Sequence, residues 1–245
     1  MRVEASDVGD YVHVLKRGAR GLNIVEDDSD RWRFLRLLYY MNDGRFDRNW
    51  ERVTSEPSLT KLKAYKPFAR FPLWPKRKPI VKILAYTLMP NHFHLLLKEI
   101  TKGGISKFMQ RIGQSMTERF NEKSGSRGKG SIFQGSYKAR TVNDDIYLRY
   151  LASYIMVKNV FELYPNGGLV GASKNFEDAW QWAIKYPFGS LADYCGDRKS
   201  VLIDKDILGE IFTPSNFKRF AKDVILGGKW IKNNGDSEFA RLAIE

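Results

Sequence analysis

The chain has 245 residues, 43% of them hydrophobic, which suffices for one large domain or a domain with an appendage. Lysine and arginine number 41 against 28 acidic residues, and the resulting net charge of +13 favours a polyanionic partner. The single cysteine, Cys195, excludes an internal disulfide and a cysteine-based zinc site; with no apolar leader and no run near the roughly 18 apolar residues of a membrane span, the reading is a cytoplasmic protein that meets no membrane.

In chain order, residues 10–16 alternate Tyr11, His13 and Leu15 with Val12 and Val14, a strand pattern closed by the glycine-bearing loop 17–21. Asp27, Asp28, Ser29 and Asp30 are N-cap candidates for a helix with Phe34, Leu35, Leu38 and Met41 on one side. Residues 43–79 lack periodicity and are rich in Pro, Arg and Lys, so they read as an inserted basic loop or short helical excursion. Residues 80–88 and 92–98 form a hairpin through Met89, Pro90 and Asn91. After Gly103 and Gly104, the residues Ile105, Phe108, Met109, Ile112, Met116 and Phe120 recur at helical spacing and read as a core stripe. A loop at 124–130, a strand at 132–142 and a last helix at 146–160, capped from Asn143, Asp144 or Asp145, complete the order β-α-β-β-α-β-α. That order predicts an α+β fold, a ferredoxin-like antiparallel sheet with helices on one face, over residues 1–165. Residues 166–245 read as a small, mostly helical appendage, helical at 213–225 and frayed from 227 onward.

Two of the three histidines, His92 and His94, stand two apart on the second hairpin arm. On a strand both imidazoles project from one face while Phe93, Leu95 and Leu97 take the other, which places two metal ligands side by side. Such a pair also occurs as hydrogen-bonded surface groups. The positive charge is clustered: residues 61–78 carry Lys61, Lys63, Lys66, Arg70, Lys76, Arg77 and Lys78 with no acid, and residues 123–140 include Arg127, Lys129, Lys138 and Arg140. Interleaved rings at Tyr65, Phe68, Phe71 and Trp74 suit stacking on unpaired bases, although some of them must be core, and a solvated basic face is the plainer alternative. Along the last helix Tyr147, Tyr150, Leu151, Tyr154 and Lys158 share one face, usually a sign of core packing with the hydroxyls at its rim.

Five ordered segments carry a family resemblance: Met89-Pro-Asn-His-Phe-His94, Arg119-Phe-Asn-Glu-Lys-Ser-Gly125, Phe133-Gln-Gly-Ser-Tyr-Lys138, Tyr150-Leu-Ala-Ser-Tyr-Ile-Met-Val-Lys-Asn-Val160 and the opening Tyr11-Val-His-Val-Leu-Lys-Arg-Gly18. Together they resemble the single-tyrosine HUH transposases, and Tyr186-Pro-Phe-Gly-Ser190 is similar to the tail of the REP-associated tyrosine transposase branch. The resemblance implies that His92 and His94 bind a divalent ion, Mg²⁺ or Mn²⁺, and that Tyr154 is the nucleophile in a single-stranded DNA endonuclease and strand transferase that forms a 5′-phosphotyrosine bond at hairpin-associated sites. In the family an amide or carboxyl side chain four residues after the tyrosine supplies a third ligand. Here position 158 is lysine, and Asn159 lies about 140° further round a regular helix, so ligation by Asn159 requires a π-type turn; otherwise Gln134 or water completes the shell. Lys158 itself would favour the phenolate or hold the phosphate. The basic clusters with Gln134 would grip single-stranded or hairpin DNA. A non-catalytic nucleic-acid-binding module on the same fold, and a metal hydrolase without a tyrosine adduct, are the competing functions. Whether Tyr154 completes its own site or that of a second subunit in a homodimer is left open by the sequence.

Overall fold

The computed structural model describes residues 6–45, 50–51, 68, 74–125 and 130–227. Its centre is a four-stranded antiparallel sheet of β1 (Tyr11–Arg17), β2 (Val81–Leu88), β3 (His92–Glu99) and β4 (Lys138–Val142) in the order β2-β3-β1-β4. Between β1 and β2 runs α1 (Asp28–Tyr40), whose N-cap Asp27 accepts a hydrogen bond from the Asp30 backbone N–H. Between β3 and β4 runs α2 (Gly104–Lys123). Gly103 opens α2 in a left-handed conformation at φ 71°, and a Cβ on Gly104 would meet the Ile80 carbonyl oxygen at 2.4 Å, so the glycine pair lets the helix start against the sheet edge.

The strand period of two divides the sheet residues between two cores. Val12, Val14, Phe93, Leu95 and Leu97 pack with Phe34 and Leu38 of α1 and Phe108 and Ile112 of α2. Leu84, Ala85 and Leu96 join a second cluster on the opposite face. The α+β class and the ferredoxin-like sheet are as expected, and α1 and α2 do share one face; helices, however, cover the other face as well. That second cover is α3 (Asp145–Ser153), a π turn (Tyr154–Lys158) and α4 (Asn159–Glu162), backed by the C-terminal helices. Ile155, Met156 and Val157 are all fully buried, and a helix apolar on every side must be covered on every side.

The strand expected at 132–142 is shorter in the structure. Phe133 makes an isolated bridge to Gly18, and Gly135 at φ 115° turns the chain before β4 begins at Lys138. Most of the basic insertion at 43–79 and residues 228–245, where fraying was expected, lie outside the described residues.

The region after residue 165 adds α5 (Gly168–Lys174), α6 (Phe176–Lys185), α7 (Leu191–Cys195), α8 (Asp206–Ile211) and α9 (Pro214–Leu226), the last closed by a capping box between Thr213 and Asn216. Trp180 and Phe217 belong to the same cluster as Leu96 and Ile155, so this region and the sheet share a core. The segment 186–190 lies along the outer edge of β2: Leu88 N–H donates to the Phe188 carbonyl and Ser190 N–H to the Tyr86 carbonyl, each at 3.0 Å. An otherwise open strand edge is thereby covered. At the far end, Asp206 accepts from Tyr11, Lys82 and Lys98 and ties α8 to the sheet.

One polar contact joins β2 to the π turn. The Thr87 hydroxyl, fully buried, donates to the Ile155 carbonyl. A side chain that takes a helix carbonyl competes with the i→i+4 ladder and favours a widened turn. The substitution Thr87→Val keeps the shape and removes the donor, leaving that carbonyl buried and unsatisfied. It should cost about 1–3 kcal/mol, read as a lowered urea midpoint at unchanged m-value.

Candidate active site on the second face of the sheet

The register decides what this face displays. Arg17 stands opposite His92, Leu15 opposite His94 and Lys138, and His13 opposite Leu96 and Arg140, while Thr87 stands opposite His94 on the other side. Directly opposed residues in an antiparallel pair point to the same face, so all three histidines of the chain share it with Arg17, Lys138 and Arg140.

His13 and His94 are fully buried, their rings stacked with centroids 5.2 Å apart, and His13 Nε2 shares a hydrogen bond with His94 Nδ1 at 2.9 Å. Burial, then the charge of Arg140, brings His13 down from 6.5 to about 3. Burial, followed by the neighbouring His13, His92, Lys158 and Arg17, holds His94 well below the ordinary histidine range. Both are therefore neutral imidazoles at physiological pH, the form that ligates metals. His92 is half-buried, with Nδ1 2.6 Å from Asn91 Oδ1, and its ring lies 5.0 Å from that of His94.

Tyr154 comes to this face from the opposing helix. It is 2% exposed, with its ring 5.3 Å from that of His94 and nearly perpendicular to it, and 6.1 Å from that of His13. The tyrosine and the histidines thus meet within one chain. Lys158 lies with Nζ 4.8 Å from the centre of the Tyr154 ring and pairs with Glu162 at 2.7 Å. The π turn closes with the Asn159 backbone N–H donating to the Tyr154 carbonyl, so five residues complete about one turn and Asn159 returns beneath Tyr154. Asn159 is buried, and its Nδ2 has no hydrogen-bond partner among the described residues.

Buried polar atoms are normally satisfied, which gives the exceptions weight. His13 Nδ1, His94 Nε2, Ser153 Oγ and Asn159 Nδ2 lack partners among the described residues, while the other ring nitrogen of His94 is held by His13 and one ring nitrogen of His92 by Asn91; of these His94 Nε2 is the atom suited to a metal, since an amide ligates through its oxygen and not its NH₂. An imidazole anchored through one nitrogen with the other left available has the build of a metal ligand with its outer support in place. The chemistry of the donor set fits a divalent ion completed by phosphate oxygens. Among the described residues no group of three or more His, Cys, Asp or Glu could hold a metal without such help.

Of the residues expected to contact nucleic acid, Lys138 and Arg140 flank the histidines, and Arg140 also lies over the Tyr147 ring at 5.2 Å. Gln134 is exposed and joined through its backbone N–H to the Arg17 carbonyl, and Lys76 and Lys78 are exposed. Arg77 donates to the Asn42 carbonyl and covers the Tyr39 ring at 4.5 Å, a packing role. Lys61, Lys63, Lys66, Arg70, Arg127 and Lys129 lie outside the described residues. Sequence reading missed His13 and Arg17 as site residues. The available signal was that His13, Leu15 and Arg17 share the strand period, but only the pairing of β1 with β3 shows which residues they join.

The family model described as Transposase IS200 like matches residues 76–158, the span that runs from before β2 to the end of the π turn and contains His92, His94 and Tyr154. Of the solved structures, one of a REP-associated tyrosine transposase bound to a REP hairpin is similar at 13% identity, covering 83% of this chain and 93% of that one, with a TM-score of 0.40. No curated protein matches the sequence. The matched span supplies β2, β3, α2, β4 and most of the tyrosine helix, whereas β1, which brings His13 and Arg17, lies before it.

The neutral state of the two buried imidazoles has a pH consequence. Their folded pKa values lie below the unfolded value near 6.5, so the unfolded chain binds more protons; their contribution is fully present above 6.5 and is lost as pH falls from there toward the folded value, about 3 for His13. In metal-free buffer, unfolding free energy should fall below pH 6.5 by about 1.4 kcal/mol per pH unit for each such imidazole. His13→Phe should make the slope shallower, as measured by urea unfolding from neutral pH down to about 5.

Proposed function

We propose that the chain is a metal-dependent single-stranded DNA endonuclease and strand transferase that uses Tyr154 as nucleophile. The observation that carries this reading is the Tyr154 ring set edge-on to His94 within the same chain, at 5.3 Å. His92 and His94, with Asn159 or Gln134, would hold Mg²⁺ or Mn²⁺, which when bound withdraws charge from the non-bridging oxygens of a phosphate. The phenolic oxygen of Tyr154 attacks phosphorus; the Tyr–O–P bond forms, the bond to the 3′ oxygen breaks, and that oxygen leaves as a 3′-hydroxyl while the phenolic proton is released. The 5′-phosphotyrosine keeps the energy of the phosphodiester, so a second 3′-hydroxyl can reverse the step and join strands.

Lys158, with Nζ 4.8 Å from the centre of the Tyr154 ring and paired with Glu162, would favour negative charge on the phenolic oxygen. A side chain only 2% exposed must be uncovered for attack, so the reaction includes a local opening of the π segment. The substrate class is single-stranded or hairpin DNA, in keeping with the net charge of +13 and with Lys138 and Arg140 beside the histidines. Lys158 in place of a ligand makes a non-catalytic nucleic-acid-binding module the second reading.

A pool of labelled single-stranded oligonucleotides carrying a fixed hairpin and randomised flanks separates the two readings. With Mn²⁺ the wild-type chain should form an adduct that survives denaturation, and Tyr154→Phe should form none; intact oligonucleotides throughout would favour the binding module, and cleavage without an adduct would favour a water-activating hydrolase. Hairpin affinity should fall steeply with rising salt, and a flat response removes the phosphate-based grip. Lys158→Met should move the pH dependence of adduct formation toward higher pH, whereas an unchanged profile removes its role at the phenol.

A further inference from the structure

We propose that Arg17 binds the scissile phosphate, as a guanidinium clamp beside the two metal-binding histidines; this rests on the reading of the site given above. Arg17 is the last residue of β1, opposite His92 in register and on the same face. It is half-buried, and its Nε is shielded from solvent with no hydrogen-bond partner among the described residues. Its charge is close enough to His94 to help hold that imidazole neutral. Its backbone is fixed from both sides: the Arg17 carbonyl accepts from the Gln134 N–H at 3.0 Å, and the next residue, Gly18, donates to the Asn91 carbonyl at 2.7 Å.

An arginine Nε shielded from water without a partner is costly; Arg36 and Arg119 also leave Nε without a hydrogen-bond partner among the described residues, but both lie near the Glu51 carboxylate, and three other arginines are satisfied outright. Arg33 takes the Glu51 carboxylate and the Ser115 hydroxyl and carbonyl, Arg198 takes Asp193 and two backbone carbonyls, and Arg111 takes two carbonyls. Arg17 differs from all of these in its surroundings: the residues opposite and beside it on this face include His92, His94, Lys138 and Arg140 and, among the described residues, no acid. The partner that fits is therefore an anion brought from outside, and the planar fork of arginine matches two non-bridging oxygens of a phosphate. A phosphate taken there would lie beside His92, whose ring is 5.0 Å from that of His94, the imidazole on which the Tyr154 ring is set. Positive charge at that position also stabilises the extra negative charge of the pentacovalent transition state.

The test compares wild type, Arg17→Gln and Arg17→Lys in single-turnover adduct formation, at the cleavage position read from the oligonucleotide pool. Two substrates are used, one with a normal phosphodiester and one with a neutral methylphosphonate at the scissile position. On the phosphodiester, Arg17→Gln should slow the step by about 100-fold and Arg17→Lys by less, with hairpin affinity nearly unchanged. On the methylphosphonate most of that difference should disappear, because the charge the clamp meets is absent. A structural role would slow both substrates alike, and either that outcome or an unimpaired Arg17→Gln overturns the clamp. If the wild type forms no adduct on any member of the pool, the reading of the site fails and the clamp with it; a wild-type adduct with an indifferent Arg17 sinks the clamp alone.

Discussion

The arrangement depends on one buried contact, in which two neutral imidazoles, His13 and His94, are stacked and hydrogen-bonded on the sheet beneath the ring of Tyr154. Charging either imidazole would place a cation in a closed apolar layer beside Arg140 or Lys158, so the packing and the protonation state enforce each other. A polar group at this point of a protein core is expensive unless satisfied, and here each imidazole has one nitrogen satisfied by the other while His13 Nδ1 and His94 Nε2 have no partner among the described residues.

The second constraint is the π turn. A regular helix carrying Tyr154 to the sheet would turn Asn159 well away from it, and Lys158 would occupy the position one turn on. Widening the turn by one residue brings Asn159 under Tyr154 and leaves Lys158 to pair with Glu162. The Thr87 hydroxyl, opposite His94 on the neighbouring strand, stabilises the widened form by taking the Ile155 carbonyl. A strand residue thereby determines the helix geometry next to a histidine it flanks, which couples the two halves of the site through one hydrogen bond.

Around this centre the charge is distributed by function. Arg33, Arg111 and Arg198 are consumed in holding loops and helices, and Lys82 and Lys98 converge on Asp206 to fasten α8. Lys138, Arg140 and Arg17 instead border the histidines on one face of the sheet. The helical region after residue 165 is part of the same construction, since its aromatic residues close the core behind the tyrosine helix and its 186–190 segment covers the edge of β2.

Much of this was legible in the sequence because it depends on local periodicity. The period of two put His92 and His94 on one face and Phe93, Leu95 and Leu97 on the other; helix periodicity and caps placed α1, α2 and the tyrosine helix; and the element order specified the ferredoxin-like sheet. The covering of the second face had a signal in the unbroken apolar run at 155–157, but a run of that kind does not name its partner. Tertiary structure alone decided the register in which β1 pairs with β3, which turned His13 from a strand residue into the support of His94 and set Arg17 opposite His92. It also decided the π turn, because the hydroxyl that favours it comes from a strand 68 residues away in the chain, a separation that no local pattern can encode.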